Sequence, residues 1–163
     1  MREIYLKTPE LSELAYRKNL LADKETMAYN NKFGGTINFE KEKWESWFNK
    51  WIGNKDEKYF YAYIYDKEDN KPVGEVGYRF DEETNSVILN IIVEASQRGK
   101  GYGYSGLSAL IKEAFDNGYD ELRDLVYIDS NNSHALFEKL GFKCVGIVND
   151  SKDYRLTKKD YQR

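Results

Sequence analysis

The spacing of apolar and polar positions changes several times along the chain. Residues 2–7 alternate as an edge strand does. Thr8-Pro9 then reads as an N-cap followed by proline at the first helical position, and Leu11, Leu14, Ala15 and Leu21 continue an approximate 3.6-residue period. Residues 23–38 are polar, carry Tyr29-Asn30-Asn31 and Gly34-Gly35, and are expected as a long loop with a helical turn near Glu25-Thr26-Met27. Trp44, Trp47, Phe48 and Trp51 fall at i, i+3, i+4 and i+7 of a second helix over about residues 40–52. That aromatic face reads first as core packing, with a ring lining a substrate pocket as the other reading.

Three strands follow. Tyr59 to Tyr65 is dense in strand formers, Pro72 to Phe80 is the next strand, and Val87 to Val93 is apolar on both faces apart from Asn90. The turns between them are about five residues long, which implies an antiparallel meander. The pattern then turns glycine-rich and basic at Gln97-Arg98-Gly99-Lys100-Gly101-Tyr102-Gly103. A helix with Leu107, Leu110, Ile111, Ala114 and Phe115 on one face comes next, closed at Asn117-Gly118. Leu125 to Ile128 reads as a strand. Ser130 to Asn132 offer N-caps for a short helix carrying Leu136, Phe137 and Leu140, closed by Gly141. Phe142 to Val148 and Tyr154 to Thr157 read as two last strands, with Cys144 as a small core residue. A meander joined to a crossover predicts an α/β (α+β) mixed sheet with helices on both sides, in one domain over residues 1–163.

Composition narrows the classes. The 163 residues are 15% aromatic, too rich for a disordered chain despite 33% charged residues. Lys plus Arg is 25 against 28 Asp plus Glu, a net charge of −3. That argues against phosphate-backbone binding as the main task, so no nucleic-acid partner is expected. The single cysteine excludes an intrachain disulfide and a cysteine-rich zinc site, and no metal is expected. No stretch approaches the roughly 18 apolar residues of a membrane span, and Met1 to Tyr5 lack a signal-peptide core. No membrane is expected, and a cytoplasmic location is.

A strand that enters a glycine-rich turn and leaves as a helix suits a phosphate. Backbone N–H groups at the helix start point outward, the dipole favours negative charge, and glycines let an anion approach. Arg98 and Lys100 add positive charge at the rim. A turn that only tightens packing is the plain alternative. Gly101-Tyr102-Gly103-Tyr104-Ser105-Gly106 also fits the dinucleotide fingerprint G-x-G-x-x-G, with Asp129 near the place of the ribose-binding acid. Against that fingerprint stand the short turns between the preceding strands and the shortness of the remaining chain. No Gly-Lys-Ser/Thr follows at the spacing of a nucleoside-triphosphate P-loop.

Arg98-Gly99-Lys100-Gly101-Tyr102-Gly103 resembles the R/Q-x-x-G-x-G/A signature of the GNAT (GCN5-related N-acetyltransferase) superfamily. Ser133-His134-Ala135-Leu136-Phe137-Glu138-Lys139-Leu140-Gly141-Phe142 resembles that family's second block, and the element order matches its fold. The resemblance implies a fold with a central pair of parallel strands that splay, here Val87–Val93 and Leu125–Ile128. It implies acetyl-CoA as acyl donor, held by the backbone of Ile91, Ile92 and Val93 and by the turn Arg98, Gly99, Lys100, Gly101, Tyr102, Gly103 and Tyr104. It implies an amine acceptor and direct attack on the thioester, with the Val93 N–H facing the thioester oxygen. A homodimer is allowed for.

An amine with a pKa of ~10 must lose a proton before attack, and a thiolate of pKa ~8.5 can accept one on leaving. Glu75 and Asn90 are the polar residues of otherwise apolar strands. Glu75 is the candidate base, directly or through water, with a solvated strand edge as its other reading. Asn90 is a candidate to orient water or acceptor. The family usually carries a proton-donating Tyr where this chain has Phe137, and it favours Asn where this chain has Ser130. Asn131 is the neighbouring candidate for contact with the cofactor arm, as is Phe137. His134 reads as a surface residue of its helix. The acceptor is not written in the sequence. A non-catalytic CoA-binding sensor or partner-binding module is the rival reading, and Phe137 favours it.

Overall fold

The computed structural model describes residues 2–53 and 57–161. Its seven-stranded sheet has the order β1-β2-β3-β4-β5-β7-β6. The strands are β1 (Ile4–Lys7), β2 (Tyr59–Asp66), β3 (Lys71–Asp81), β4 (Ser86–Val93), β5 (Glu121–Tyr127), β6 (Lys143–Val148) and β7 (Ser151–Thr157). All neighbours run antiparallel except β4 and β5. The meander β2–β3–β4 is as expected, because each turn is local. Asn70 and Asn85 take φ of 55° and 51° in those turns, which Asn tolerates better than most residues.

Each face of the sheet carries its own core. Helix α3 (Tyr102–Asp116) and helix α4 (Asn131–Lys139) cover one face, where Leu107, Leu110, Ile111, Ala114 and Phe115 meet Ala62, Ile64, Val76 and Leu122. On the other face, helices α1 (Ala15–Ala22) and α2 (Trp44–Phe48) border a smaller core of Leu14, Leu20, Leu21, Met27, Phe39 and Ile92. Trp44, Trp47 and Phe48 pack against that core, and Trp51 stacks on Trp47.

Several local expectations are corrected by tertiary contacts. The Thr8 hydroxyl donates to the Tyr61 carbonyl at 2.9 Å, tying the chain to β2 in place of capping a helix. The cap is instead the reciprocal Glu10–Glu13 box, and a 3₁₀ turn over Leu11–Glu13 precedes α1. The loop over residues 23–38 contains 3₁₀ turns from Thr26 to Phe33, ended by Gly34 at φ 109°. The helix expected over 40–52 is three short pieces: a 3₁₀ turn (Lys41–Lys43), α2, and a π turn (Asn49–Gly53). Strand β5 begins at Glu121 because Leu122 and Arg123 pair with β4, and the charged sequence before Leu125 hid that start. Strand β7 begins at Ser151, and a terminal helix α5 (Lys158–Tyr161) was not foreseen. Cys144 is exposed, since β6 is an outer strand with every residue exposed.

Candidate active site

The site begins with a gap in the sheet. Strands β4 and β5 pair at Val87–Leu122 and Ile88–Arg123 and separate beyond them. Glu94 N–H donates to the Val73 carbonyl at 2.9 Å, which makes Gly74–Val93 a non-hydrogen-bonded pair of the β3–β4 ladder. The peptide groups of Val93, and of Ile91 two residues earlier, therefore point away from β3 and into the gap. Those of Ile92 point to β3, and its side chain joins the smaller core. Arg98 Nε already donates to the Val93 carbonyl at 3.2 Å, so the Val93 N–H is the group left facing the cleft.

The glycine-rich turn closes the end of that cleft. A 3₁₀ turn (Ala95–Gln97) leads to Gly99 at φ 79° and Gly101 at φ 91°, and α3 starts at Tyr102. Gly101 is the N-cap and brings no side chain, so the first N–H groups of α3 keep no capping partner. That is the arrangement an anion needs. A Cβ on Gly99 would meet nothing within 4 Å, whereas one on Gly103 would touch Leu136 Cδ2 at 3.4 Å. Gly103 thus sets the approach of α3 to α4. Arg98 is more than rim charge: its Nη2 donates to the Thr26 carbonyl at 2.8 Å, clamping the 3₁₀ segment to the end of β4. Lys100 Nζ donates to Gln97 Oε1 at 3.2 Å, and the Lys139 ammonium lies 4.8 Å over the Tyr104 ring. The Tyr102 hydroxyl donates to Asp66, which also accepts from Asp69 N–H at 2.7 Å and Arg2 at 3.3 Å. These donors, led by Asp69 N–H, hold the Asp66 carboxyl down at about 2.

On the α1–α2 face, Glu75 is 1% exposed. Burial overturns the solvated-edge reading, because β3 is an inner strand covered by α1. Glu75 Oε1 accepts from Arg17 Nη1 at 3.0 Å and from the Tyr61 hydroxyl, and Oε2 accepts from Asn90 Nδ2 at 3.2 Å. The Arg17 guanidinium in turn lies 4.4 Å over Trp47 and 4.8 Å over Phe39. Burial, and then the Glu75 charge, push the Tyr61 phenol well above its ordinary range. Glu75 and Asn90, read separately from the sequence, are thus one hydrogen-bonded pair, and Asn90 is its exposed member.

Helix α4 is uncapped at Ser130, and Asn131 is exposed at its start. His134 is 6% exposed, which corrects the surface expectation: its Nε2 meets the Ile128 carbonyl at 3.0 Å and its Nδ1 the Tyr154 hydroxyl at 3.1 Å. Phe137 is 2% exposed, stacked on Tyr154 at 5.7 Å and edge-on to Phe142 at 4.9 Å.

Besides Arg17, the polar groups Tyr29 and Asp124 escaped the sequence reading. Tyr29, in the 3₁₀ segment, is 49% exposed, and its phenol is raised by partial burial and then by the Glu75 charge. Asp124 follows the last β4–β5 pair, and burial pushes its carboxyl up to about 8. Among the described residues, no group of three His, Cys, Asp or Glu side chains is placed to hold a metal, and no helix is long and apolar enough to cross a membrane.

A split parallel pair with an uncapped glycine turn at its end is the frame of this α/β fold. The profile of the acetyltransferase (GNAT) family matches residues 22–142, and the chain belongs to that family. An uncharacterized N-acetyltransferase of Methanocaldococcus jannaschii is 25% identical over 116 residues, 68% of this chain. The chain spans 50% of that relative's length. The fold is that of the Vibrio cholerae spermidine N-acetyltransferase solved with CoA and spermine (TM-score 0.82, 19% identity, 98% of each chain covered). It is also that of an aminoglycoside acetyltransferase solved with coenzyme A (TM-score 0.80, 14% identity, 99% of this chain and 98% of the other covered).

Proposed function

We propose that the chain is an acetyl-CoA-dependent N-acetyltransferase that moves an acetyl group, by direct attack, to a primary amine of a small molecule or peptide. The observation that carries this reading is the gap between β4 and β5, where the Ile91 peptide groups and the Val93 N–H face the space that ends at the uncapped start of α3. The unused donors fit an extended arm ending in a pyrophosphate. Acetyl-CoA, when bound, supplies an activated thioester.

In this proposal the N–H groups from Gly99 to Tyr104 surround the pyrophosphate. Arg98 and Lys100 lend charge, Ile91 bonds the arm, and Asn131 borders it. The Val93 N–H stabilises the charge that grows on the thioester oxygen. Glu75 takes the proton of the attacking ammonium, directly or through a water that Asn90 holds. Family membership and the amine-acetylating neighbours support the reaction class. A single domain over residues 1–163 and a cytoplasmic location belong to the same proposal.

The rival, a CoA-binding sensor, is favoured by Phe137, whose ring sits in the core and has no proton to give. A thiol-release assay with acetyl-CoA across an amine panel separates the two. Turnover on any amine removes the sensor as sole function. Thermal shift checks the cofactor: CoA raises Tm by mass action and NAD at equal concentration does not. The opposite outcome restores the dinucleotide reading of Gly101–Gly106.

A further inference from the structure

One piece of chain crosses the gap on the Glu75 face of the sheet. Strands β4 and β5 are in register at Ile88–Arg123, so further along Ile92 stands level with Tyr127 on the other side of the gap. Ile92 pairs with Glu75 and shares its face. Leu122 and Val126 belong to the core under α3 and α4, so Tyr127 alternates to the opposite face, that of Ile92 and Glu75.

The 3₁₀ segment Thr26–Phe33 reaches both strand ends, and its two attachments differ in kind. At the β4 end, Thr26 Oγ1 accepts from the Ala95 N–H at 3.0 Å and the Thr26 carbonyl from Arg98 Nη2 at 2.8 Å. Thr26 and Met27 are fully buried, and Met27 packs in the core that holds Ile92. At the β5 end, Lys32 Nζ donates to Asp150 Oδ2 at 2.7 Å and to the Tyr127 hydroxyl at 3.4 Å. Its ammonium lies 4.5 Å over the Tyr127 ring, and the Phe33 ring meets the same ring edge-on at 6.5 Å. The Ile128 N–H donates to the Asp150 carbonyl at 2.8 Å, which fixes Asp150 beside the end of β5. Lys32, Phe33 and Asp150 are all exposed. Water competes for these contacts and salt screens them, so this is the end that lets go first.

We infer that Lys32 is a positioning residue for the acceptor: the segment Thr26–Phe33 is a strap hinged at Thr26 and clipped by Lys32 to Asp150 and Tyr127, and the clip opens to admit the amine and closes over it. The assignment rests on the direct-transfer reading above, in which the amine attacks from the Glu75 face beside Val93. The Asn30 N–H and carbonyl groups help the strap move as one piece: the Gly35 N–H donates to the Asn30 carbonyl and Asn30 Nδ2 to the Gly35 carbonyl, both at 2.8 Å. The start of α3 lies in the core on the opposite face, so the strap controls the acceptor and leaves the phosphate turn alone.

The experiment compares wild type, Lys32→Ala, Lys32→Arg and the charge swap Lys32→Asp with Asp150→Lys, on an amine that wild type turns over. Lys32→Ala raises the KM for the amine by about 2–5-fold, the scale of an exposed ion pair, with kcat, the KM for acetyl-CoA and the CoA-induced rise in Tm unchanged. Lys32→Arg and the charge swap keep a KM near wild type. Salt raises the amine KM more in wild type than in Lys32→Ala. A second test closes the clip for good. In a Cys144→Ser background, Lys32→Cys and Asp150→Cys are joined by a short bis-maleimide with a disulfide in its spacer. Amine turnover stops, CoA still raises Tm, and reductant restores turnover, which shows that the protein stayed folded.

An amine KM in Lys32→Ala equal to wild type at every salt concentration overturns the assignment, and so does full turnover in the joined protein. Absence of turnover on every amine overturns the direct-transfer reading. Hydrogen exchange then decides the strap without substrate: amides of residues 28–33 exchange faster in Lys32→Ala than in wild type while those of Thr26 and Met27 do not change, and equal exchange in both proteins overturns the strap itself.

Discussion

Arg17 and Glu75 meet across 58 residues of sequence, with Nη1 3.0 Å from Oε1. Both partners are mostly withdrawn from water, at 15% and 1% side-chain exposure. Taking away one member of such a pair leaves the other charge buried and uncompensated. Glu75→Gln is therefore expected to cost about 3–5 kcal/mol in urea unfolding, and adding Arg17→Met should recover much of it. For catalysis, Glu75→Gln should lower kcat/KM most near neutral pH and recover toward the pKa of the amine, where free amine is plentiful. A loss independent of pH assigns Glu75 to acceptor binding through Asn90.

The turn offers a graded test. Gly101 adopts φ 91°, a left-handed conformation that a β-branched residue resists. Gly101→Val should abolish the CoA-induced rise in Tm while leaving most of the fold. Gly103→Val should lose stability as well, because its Cβ starts at 3.4 Å from Leu136 Cδ2 and the extra methyls press α3 from α4. Arg98→Ala should weaken CoA less than Gly101→Val and loosen the 3₁₀ segment that holds Thr26, read as faster proteolysis between residues 23 and 38. Unchanged CoA affinity in Gly101→Val removes the turn from the cofactor site.

What the sequence disclosed and what it hid follow one physical line. The meander, α3 and the glycine turn are written in local periods and turn residues, so they could be read in place. The same holds for Trp44, Trp47 and Phe48, whose spacing marked a packed face, although the helix carrying them is broken into three pieces. His134, Cys144 and Asp124 were misjudged or missed because their surroundings come from distant segments. His134 is buried by Tyr154, 20 residues on, and Cys144 is exposed because β6 is an outer strand that no other described residue buries. Asp124 was missed because the end of the β4–β5 pairing beside it is set by distant strands. Glu75 and Asn90 were legible as polar residues in apolar strands, but the Arg17 that joins them lies on α1, in a stretch read only for its leucines.

Asp66 anchors the start of α3 through Tyr102, and its carboxyl is held at about 2. A depressed carboxyl stabilises the fold above its unfolded pKa of ~3.9 and loses that contribution as pH falls through the folded value. Asp66→Asn should thus melt below wild type at pH 7, and the gap should close between about pH 4 and pH 2. The variant should also bind CoA more weakly, because the first turn of α3 loses its tie to β2. A constant gap across that range would show that Asp66 acts through shape and not through its charge.

Asp124 has the opposite sign. Its carboxyl is raised to about 8 by burial, against ~3.9 in an unfolded chain. The folded state then holds the proton more tightly than the unfolded state between those values, so stability is full below about pH 4 and declines as pH rises through 8. Asn has nearly the shape of the protonated acid and no charge to bury. Relative to wild type, Asp124→Asn should gain in Tm as pH rises from 5 to 8.5, while Asp66→Asn shows no change in its gap over that interval. Melting curves of the three proteins at pH 5, 7 and 8.5 measure this without acetyl-CoA or amine. A gap between Asp124→Asn and wild type that does not grow with pH means the carboxyl is already ionised at neutral pH. In that case the carboxylate is compensated in the folded chain, and its ionisation adds nothing to the pH dependence of stability.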